Sequence, residues 1–279
     1  MREVDVSLIT ETLENLFIEA NLKLSSEHIL ALRDAIMNEE SEIGKEVIES
    51  LLKNAEIAEI EGIPICQDTG LACVFLEIGQ DVHLVGGNLE DAINEGVRRA
   101  YKKGYLRSST CDPITRKNTG DNTPAIIHEK IVPGDRIRIL VLPKGGGSEN
   151  YSEARVLTPA QGAEGIKAFV LEMVRKGGPN PCPPLIVGIG IGGNLEMAAL
   201  LAKEALFVPY KVRNPDNYLA KLEIEILNEI NKLGIGPQGY GGRVTALDVH
   251  IKAMPCHIAS LPVAVAIQCH AHRVRERII

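Results

Sequence analysis

Cys66, Cys182 and Cys269 are the residues of this chain best placed to do chemistry. Each stands among Pro, Gly or polar neighbours and not in an apolar run: Pro64-Ile-Cys66-Gln67-Asp68-Thr69-Gly70, Gly177-Gly-Pro-Asn-Pro-Cys182-Pro-Pro and Gln268-Cys269-His270-Ala-His272-Arg273. Backbone N–H groups in such loops can hydrogen-bond cluster sulfurs and tune the metal. Three thiolates are one short of the four that usually close an iron–sulfur cluster. A cluster held by three keeps one iron open, and an open iron is a Lewis acid. The spacings of 116 and 87 residues are unlike the compact ferredoxin pattern, and six cysteines allow 20 choices of three. Cys73, inside Leu-Ala-Cys-Val-Phe-Leu, reads as core packing, while Cys111 and Cys256 stay open. The absence of a CxxC pair counts against a zinc ribbon or a thioredoxin-like site.

Other groups suit catalysis or simple structure equally well. A carboxylate two residues from a metal ligand, as Asp68 is, can transfer a proton or order a water; a turn aspartate capping Thr69-Gly70 has the same local sequence. Lys144-Gly145-Gly146-Gly147-Ser148 follows a strand pattern, and consecutive glycines let N–H groups converge on a carboxylate or phosphate, or form a flexible turn. Arg107 can fork a carboxylate or face solvent. His257 suits proton transfer near neutral pH or a hydrogen-bonded structural role, and His270 and His272 crowd Cys269. Gly188-Ile-Gly190-Ile-Gly192-Gly193 fits the dinucleotide pattern between an apolar strand and a helix. Asp216 is the nearest acidic residue at about the right distance. Close helix–strand packing explains the same glycines.

The elements that must position these groups alternate in type. Residues 5–60 read as helices, with Leu8, Leu13, Leu16, Phe17 and Ala20 at helical spacing and new starts near Ser26 and Ser41. Pro64 to Gly70 is a loop, Leu71–Ile78 a strand, and Asn88 caps a helix to Tyr101. Residues 107–124 are dense in turn formers. Strands follow at 125–128 and 136–142, then a loop over 144–150. Thr158-Pro159 opens a helix that ends at Gly177-Gly178. Strand 185–191, helices from Asn194 and over 215–233, and strands 243–252 and 261–267 complete a mixed α/β chain. One domain over 1–279, compact or built of two interleaved lobes, is expected, with a helical N-terminal region packed on mixed β-sheets and the cysteine loops at their edge.

The 279 residues suffice for a sizeable core. With 45% apolar and 24% charged residues the chain reads as globular. A net charge of −7 without a basic tract argues against nucleic acid. Arg273 to Arg277 form a small basic cluster, read as a solvated tail or a contact for a partner subunit. No secretory h-region and no run of 18 apolar residues is present. Six cysteines without export point to a reducing cytoplasm and free thiols.

Taken in order, Cys66-Gln67-Asp68-Thr69-Gly70, Asn118-Thr-Gly-Asp-Asn-Thr-Pro124, Lys144-Gly-Gly-Gly-Ser-Glu-Asn150, Gly188–Asn194, Gly236-Pro-Gln-Gly-Tyr-Gly-Gly-Arg243-Val-Thr-Ala, His257-Ile-Ala-Ser-Leu-Pro and Cys269-His-Ala-His-Arg273 form a series. The series resembles the α subunit of class I, iron–sulfur fumarate hydratases and the related L-tartrate dehydratases, from about residue 10 to the C-terminus. The resemblance implies that Cys66, Cys182 and Cys269 bind a [4Fe–4S] cluster with one non-cysteine-ligated iron, which takes the substrate hydroxyl and one carboxylate. It implies reversible hydration of fumarate to L-malate, with L-tartrate dehydration as the alternative, and no nicotinamide. Gln67, Arg107, Lys144, Gly146 and Gly147 are then expected to hold substrate carboxylates, and Asp68 and His257 to transfer protons. Single-chain members of the family continue into a second domain. A separate β subunit is therefore expected to complete the site for the small dicarboxylate, in an α2β2 assembly. A cluster-binding regulatory protein without turnover is the distant alternative, but it has no need of Asp68, Arg107, His257 and a glycine anion loop around the open iron.

Overall fold

The computed structural model describes residues 1–279. In chain order the elements are β1 (Arg2–Asp5), α1 (Val6–Leu22), α2 (Ser26–Asn38), α3 (Glu42–Glu61), β2 (Leu71–Gly79), β3 (Val82–Val85), α4 (Leu89–Lys103), β4 (Ile126–Val132), β5 (Ile137–Lys144) and the single turn α5 (Gly146–Glu149). There follow β6 (Glu153–Leu157), α6 (Gly162–Gly177), β7 (Leu185–Gly193), α7 (Leu195–Ala205), α8 (Asn217–Asn231), β8 (Ala246–Cys256), β9 (Leu261–Gln268) and β10 (Arg275–Ile278). The chain divides into two compact units, Met1–Ser25 with Asn54–Gly146 and Arg273–Ile279, and Ser26–Lys53 with Gly147–His272. No helix is long and apolar enough to cross a membrane.

In the first unit Asp5 caps α1 by accepting the Ser7 N–H at 2.8 Å. The apolar stripe of α1 then faces inward: Ile9, Leu13, Leu16 and Phe17 are fully buried with Val74 of β2 and Val141 of β5. Asn88 caps α4 through the Asp91 N–H. The sheet runs β10-β5-β2-β4, antiparallel except for the parallel pair β2–β4, and β1 pairs with β3 as a parallel two-stranded ribbon. The helical N-terminal segment thus packs on a mixed sheet, as expected. Cys73 is buried in β2.

The second unit repeats the ladder pattern. Its sheet runs β6-β9-β7-β8, with only β7–β8 parallel. Leu185, Val187 and Ile189 point to the side of α6 and α8, in one core with Phe169, Val170 and Ile226. Gly188 and Gly190 take the opposite face, under α7. A Cβ on them would lie 2.1 Å from the Ala202 carbonyl oxygen and 1.9 Å from that of Ala198. The dinucleotide-like glycines are therefore consumed by helix–strand packing.

Glu39, at the end of α2, holds this unit's turns. Its carboxylate accepts the N–H groups of Glu40, Ser41 and Arg243 on Oε1, and that of Val244 on Oε2 at 2.7 Å. Burial raises its pKa, but the four donors outweigh burial and leave it below the usual value. Its contribution is thus present above the unfolded carboxyl pKa and is lost as pH falls through the lower folded value. Glu39→Gln turns one acceptor into a donor facing Val244 N–H. It should cost about 2–4 kcal/mol in urea unfolding at pH 7.

His250, on β8, is 1% exposed, with Asp248 Oδ2 3.6 Å from its Nε2. Burial lowers its pKa to about 4; the Arg213 charge adds to this and Asp248 opposes it. Below pH 6.5 the unfolded chain takes up a proton that the folded chain refuses until about pH 4. Stability should therefore fall by up to about 1.4 kcal/mol per pH unit across that window from this group alone. Denaturation of wild type and His250→Leu at pH 7 and pH 5 checks this: the variant should show the shallower fall.

Four short strands escape the sequence patterns: β1, β3, β6 and β10. The segment 144–150 is not all loop, since Lys144 ends β5 and Gly146–Glu149 form a helical turn. Strand β8 starts three residues later than its pattern suggests and shows no alternation, because Ala246 to Ile251 are buried on both faces. The basic C-terminal cluster is neither a solvated tail nor free for a partner throughout. Residues 275–278 pair with β5, and Arg273 is 1% exposed.

Candidate functional site

The first unit fastens the turn that carries Cys66, Gln67 and Asp68. Ile65 donates its N–H to Asn21 O at 2.9 Å and accepts from Asn54 Nδ2 at 2.9 Å. Asp68 O accepts from Arg273 Nη1 at 2.7 Å. Asp68 also caps its own turn, since Oδ1 accepts the Gly70 N–H at 3.0 Å. Its other oxygen, Oδ2, accepts the Gly146 N–H at 2.8 Å. The capping and functional readings of Asp68 are therefore not exclusive: the cap aims one oxygen, and the glycine loop holds the other. Gly146 spends its N–H on this chain's own carboxylate.

Behind the turn, the Tyr101 hydroxyl donates to Thr69 O and Gly70 O at 2.9 and 2.8 Å, and burial pushes its pKa up. Asn122 is fully buried, with φ +61°. Its Nδ2 donates to Gly70 O, while its Oδ1 accepts the N–H groups of Ser109 and Thr110. Thr69 Oγ1 donates to Arg107 O at 2.9 Å. These bonds bring Arg107 to the Asp68 turn by its backbone and leave its guanidinium exposed and unpaired. Gln67 is exposed, and its Oε1 accepts from Cys66 Sγ at 3.4 Å. Lys144 is buried at 1% exposure, opposite Leu71 in the β2–β5 ladder.

In the second unit Cys182 adopts φ +57° before the cis Pro183–Pro184 bond, and its carbonyl accepts the His270 N–H at 3.1 Å. The loops of Cys182 and Cys269 are therefore tied directly. Gln238 adds a clamp, with Nε2 2.6 Å from Pro183 O and 3.1 Å from His270 Nδ1. His28 Nε2 sits 2.5 Å from His270 O, and burial lowers its pKa to about 4. Gly147 belongs to this unit, a Cβ there lying 3.5 Å from Asn180 O. His257 is exposed on the β8–β9 turn, where its Nδ1 accepts the Ala259 N–H. It borders a mostly apolar cavity of about 380 Å3 lined by Ile166, Leu219, Leu222, Leu261, Tyr218 and Ser260.

None of the six cysteines is in a disulfide, and Cys66, Cys182 and Cys269 are partly exposed. Three unbridged cysteines on loops, two of those loops hydrogen-bonded together, are a donor set whose chemistry fits an iron–sulfur group. No set of three His, Cys, Asp or Glu side chains is gathered at metal-holding distance. Sequence patterns missed the supporting roles of Asn21, Tyr101, Asn122 and Arg273 in the first unit and of Gln238 in the second. Asn122, Gln238 and Arg273 stood inside quoted motifs, but nothing local says which bonds such loop residues make.

The family model described as fumarate hydratase (Fumerase) matches residues 10–277. A protein of Methanocaldococcus jannaschii, provisionally named L(+)-tartrate dehydratase subunit alpha, is 44% identical over 95% of this chain and 95% of its own length. The L(+)-tartrate dehydratase subunits alpha of Escherichia coli (strain K12) and Shigella sonnei are each 32% identical over 96% of this chain and 89% of their own.

Proposed function

This chain belongs to the fumarate hydratase (Fumerase) family and is a hydro-lyase, and from that premise we propose that it is the α subunit of an enzyme interconverting fumarate and L-malate. The observation that carries the site assignment is the double fastening of Asp68 beside an exposed, unpaired Arg107. The family match covers both units, which supports reading residues 1–279 as one hydro-lyase α-subunit domain.

Removing water from L-malate breaks the C2–O and C3–H bonds; hydration reverses both. Cys66, Cys182 and Cys269 would hold a [4Fe–4S] cluster with one non-cysteine-ligated iron, which supplies a Lewis acid for the leaving hydroxyl. Arg107 forks one substrate carboxylate, and Gln67 donates to it from the neighbouring turn. Lys144 adds positive charge behind the loop, and the Gly147 N–H remains the glycine donor for a carboxylate oxygen. Gly146 serves indirectly, by holding Asp68 Oδ2. Asp68 and His257 carry a proton to or from the oxygen that leaves C2. No residue here is assigned as the C3 base; a separate β subunit, in an α2β2 assembly, brings it with further cations. A reducing, cytoplasmic location suits six cysteines without a disulfide.

L-tartrate dehydration is the second reading, favoured by the names of the relatives. Anaerobic reconstitution with iron and sulfide, with the β subunit co-expressed, tests both. Brown absorption with fumarate hydration much faster than L-tartrate loss is the expected result. The reverse preference exchanges the substrate, and no cluster with no turnover overturns the site.

A further inference from the structure

Arg273 is a buried cation with no carboxylate partner. It is 1% exposed, and its Nη1 donates to Asn21 Oδ1 at 2.9 Å and to Asp68 O at 2.7 Å. Its Nε is buried without a hydrogen bond, and it forms no ion pair. Leaving a guanidinium so poorly matched inside a fold is costly, and a well-packed apolar side chain would serve stability better. What Arg273 achieves is geometric. Asn21 holds Ile65 through its backbone oxygen and Arg273 through its side chain, and Arg273 holds Asp68. Residues 65 and 68 are thus pinned from one point, with Cys66 and Gln67 between them. A Cβ built on Gly145 would meet Asp68 Oδ2 at 3.2 Å and Arg273 Nη2 at 3.4 Å. The guanidinium and the carboxylate therefore converge on the same side of the glycine loop.

We propose that Arg273 is a positioning residue that fixes the Cys66–Asp68 turn and so aims the Asp68 carboxylate. Its effect on turnover rests on the hydro-lyase reading; its effect on the turn does not. The guanidinium supplies two forked donors from a single nitrogen, and a lysine amine at the end of a flexible stem cannot hold both acceptors in that plane.

The test uses the full chain with its β subunit and compares wild type with Arg273→Met, Arg273→Lys and Arg273→Ala. Hydrogen exchange is read at the amides of Gly70 and Gly146, both donated to Asp68. Steady-state kinetics are read with and without added guanidinium ion. In Arg273→Met those amides should exchange at least about tenfold faster, while distant core amides keep their protection. Displacing Asp68 should lower kcat by about 100-fold with KM within about twofold. Arg273→Lys should fall between, and guanidinium ion should restore part of the kcat of Arg273→Ala. If Arg273→Met does not fold, Arg273→Lys carries the same readouts. Unchanged exchange at Gly70 and Gly146 in a folded variant overturns the proposal. So does a raised KM at constant kcat, which would make Arg273 a substrate-binding group. If wild type turns over neither substrate, the exchange result still decides the role of Arg273.

Discussion

A Cys182→Ser variant is expected to fold, to lose its brown colour and to lose hydro-lyase activity by at least about a thousandfold, since a Lewis acid at the leaving oxygen is worth several kcal/mol. Folding should survive because the loop at Cys182 is held by its backbone. Its N–H donates to Pro179 O, and its carbonyl accepts from His270. The sulfur makes a 3.7 Å contact to Asn180 O, which serine can replace. Binding should not survive, because a serine hydroxyl stays protonated where a thiol gives a soft thiolate. Iron and sulfide content per chain after anaerobic reconstitution is the direct measurement. An active variant that keeps its iron would sink the ligand assignment while leaving the hydro-lyase reading intact.

Asp68→Asn should keep the colour and lower kcat by about 10²–10⁴-fold, the usual worth of a placed proton-transfer group. The structure adds a second consequence. Both Asp68 oxygens accept backbone N–H groups, from Gly70 and Gly146. An amide has one oxygen, so its nitrogen must face one of those donors. The variant should also lose about 1–3 kcal/mol of stability for the unmet bond. Kinetics and urea unfolding on the same preparation separate the two effects. A stability loss of that size with kcat unchanged would reduce Asp68 to a turn residue.

Much of this was legible in the chain itself. The stripe of Leu13, Leu16 and Phe17, the Asn88 cap and the Gly177-Gly178 stop each appear where elementary rules put them. Two of the missed strands, β1 and β10, share a cause. Residues 2–5 and 275–278 are mostly polar and exposed, and they become strands only because β3 and β5 offer them edges. Such pairing is a property of the partner and not of the segment. The site divides in the same way. Cys66, Asp68 and Arg107 are candidates by type and neighbours, each with an equally simple structural reading. Asn122 and Arg273 act by reaching across long sequence separations, to Gly70 and to Asn21, and no window of sequence contains both ends.

The discontinuous make-up of the first unit also sets an order of events at the ribosome. Chain emerges at roughly 5–20 residues per second, N-terminal part first. Residues 1–25 and 54–146 leave the tunnel early, yet the edge of their sheet and the guanidinium beneath Asp68 arrive only with Arg273–Ile279. During synthesis of everything between, β5 waits with an unpaired edge, a surface prone to wrong pairing. That edge stays open until residues 275–278 emerge, so a chain truncated before Arg273 should be more prone to aggregate than the full chain.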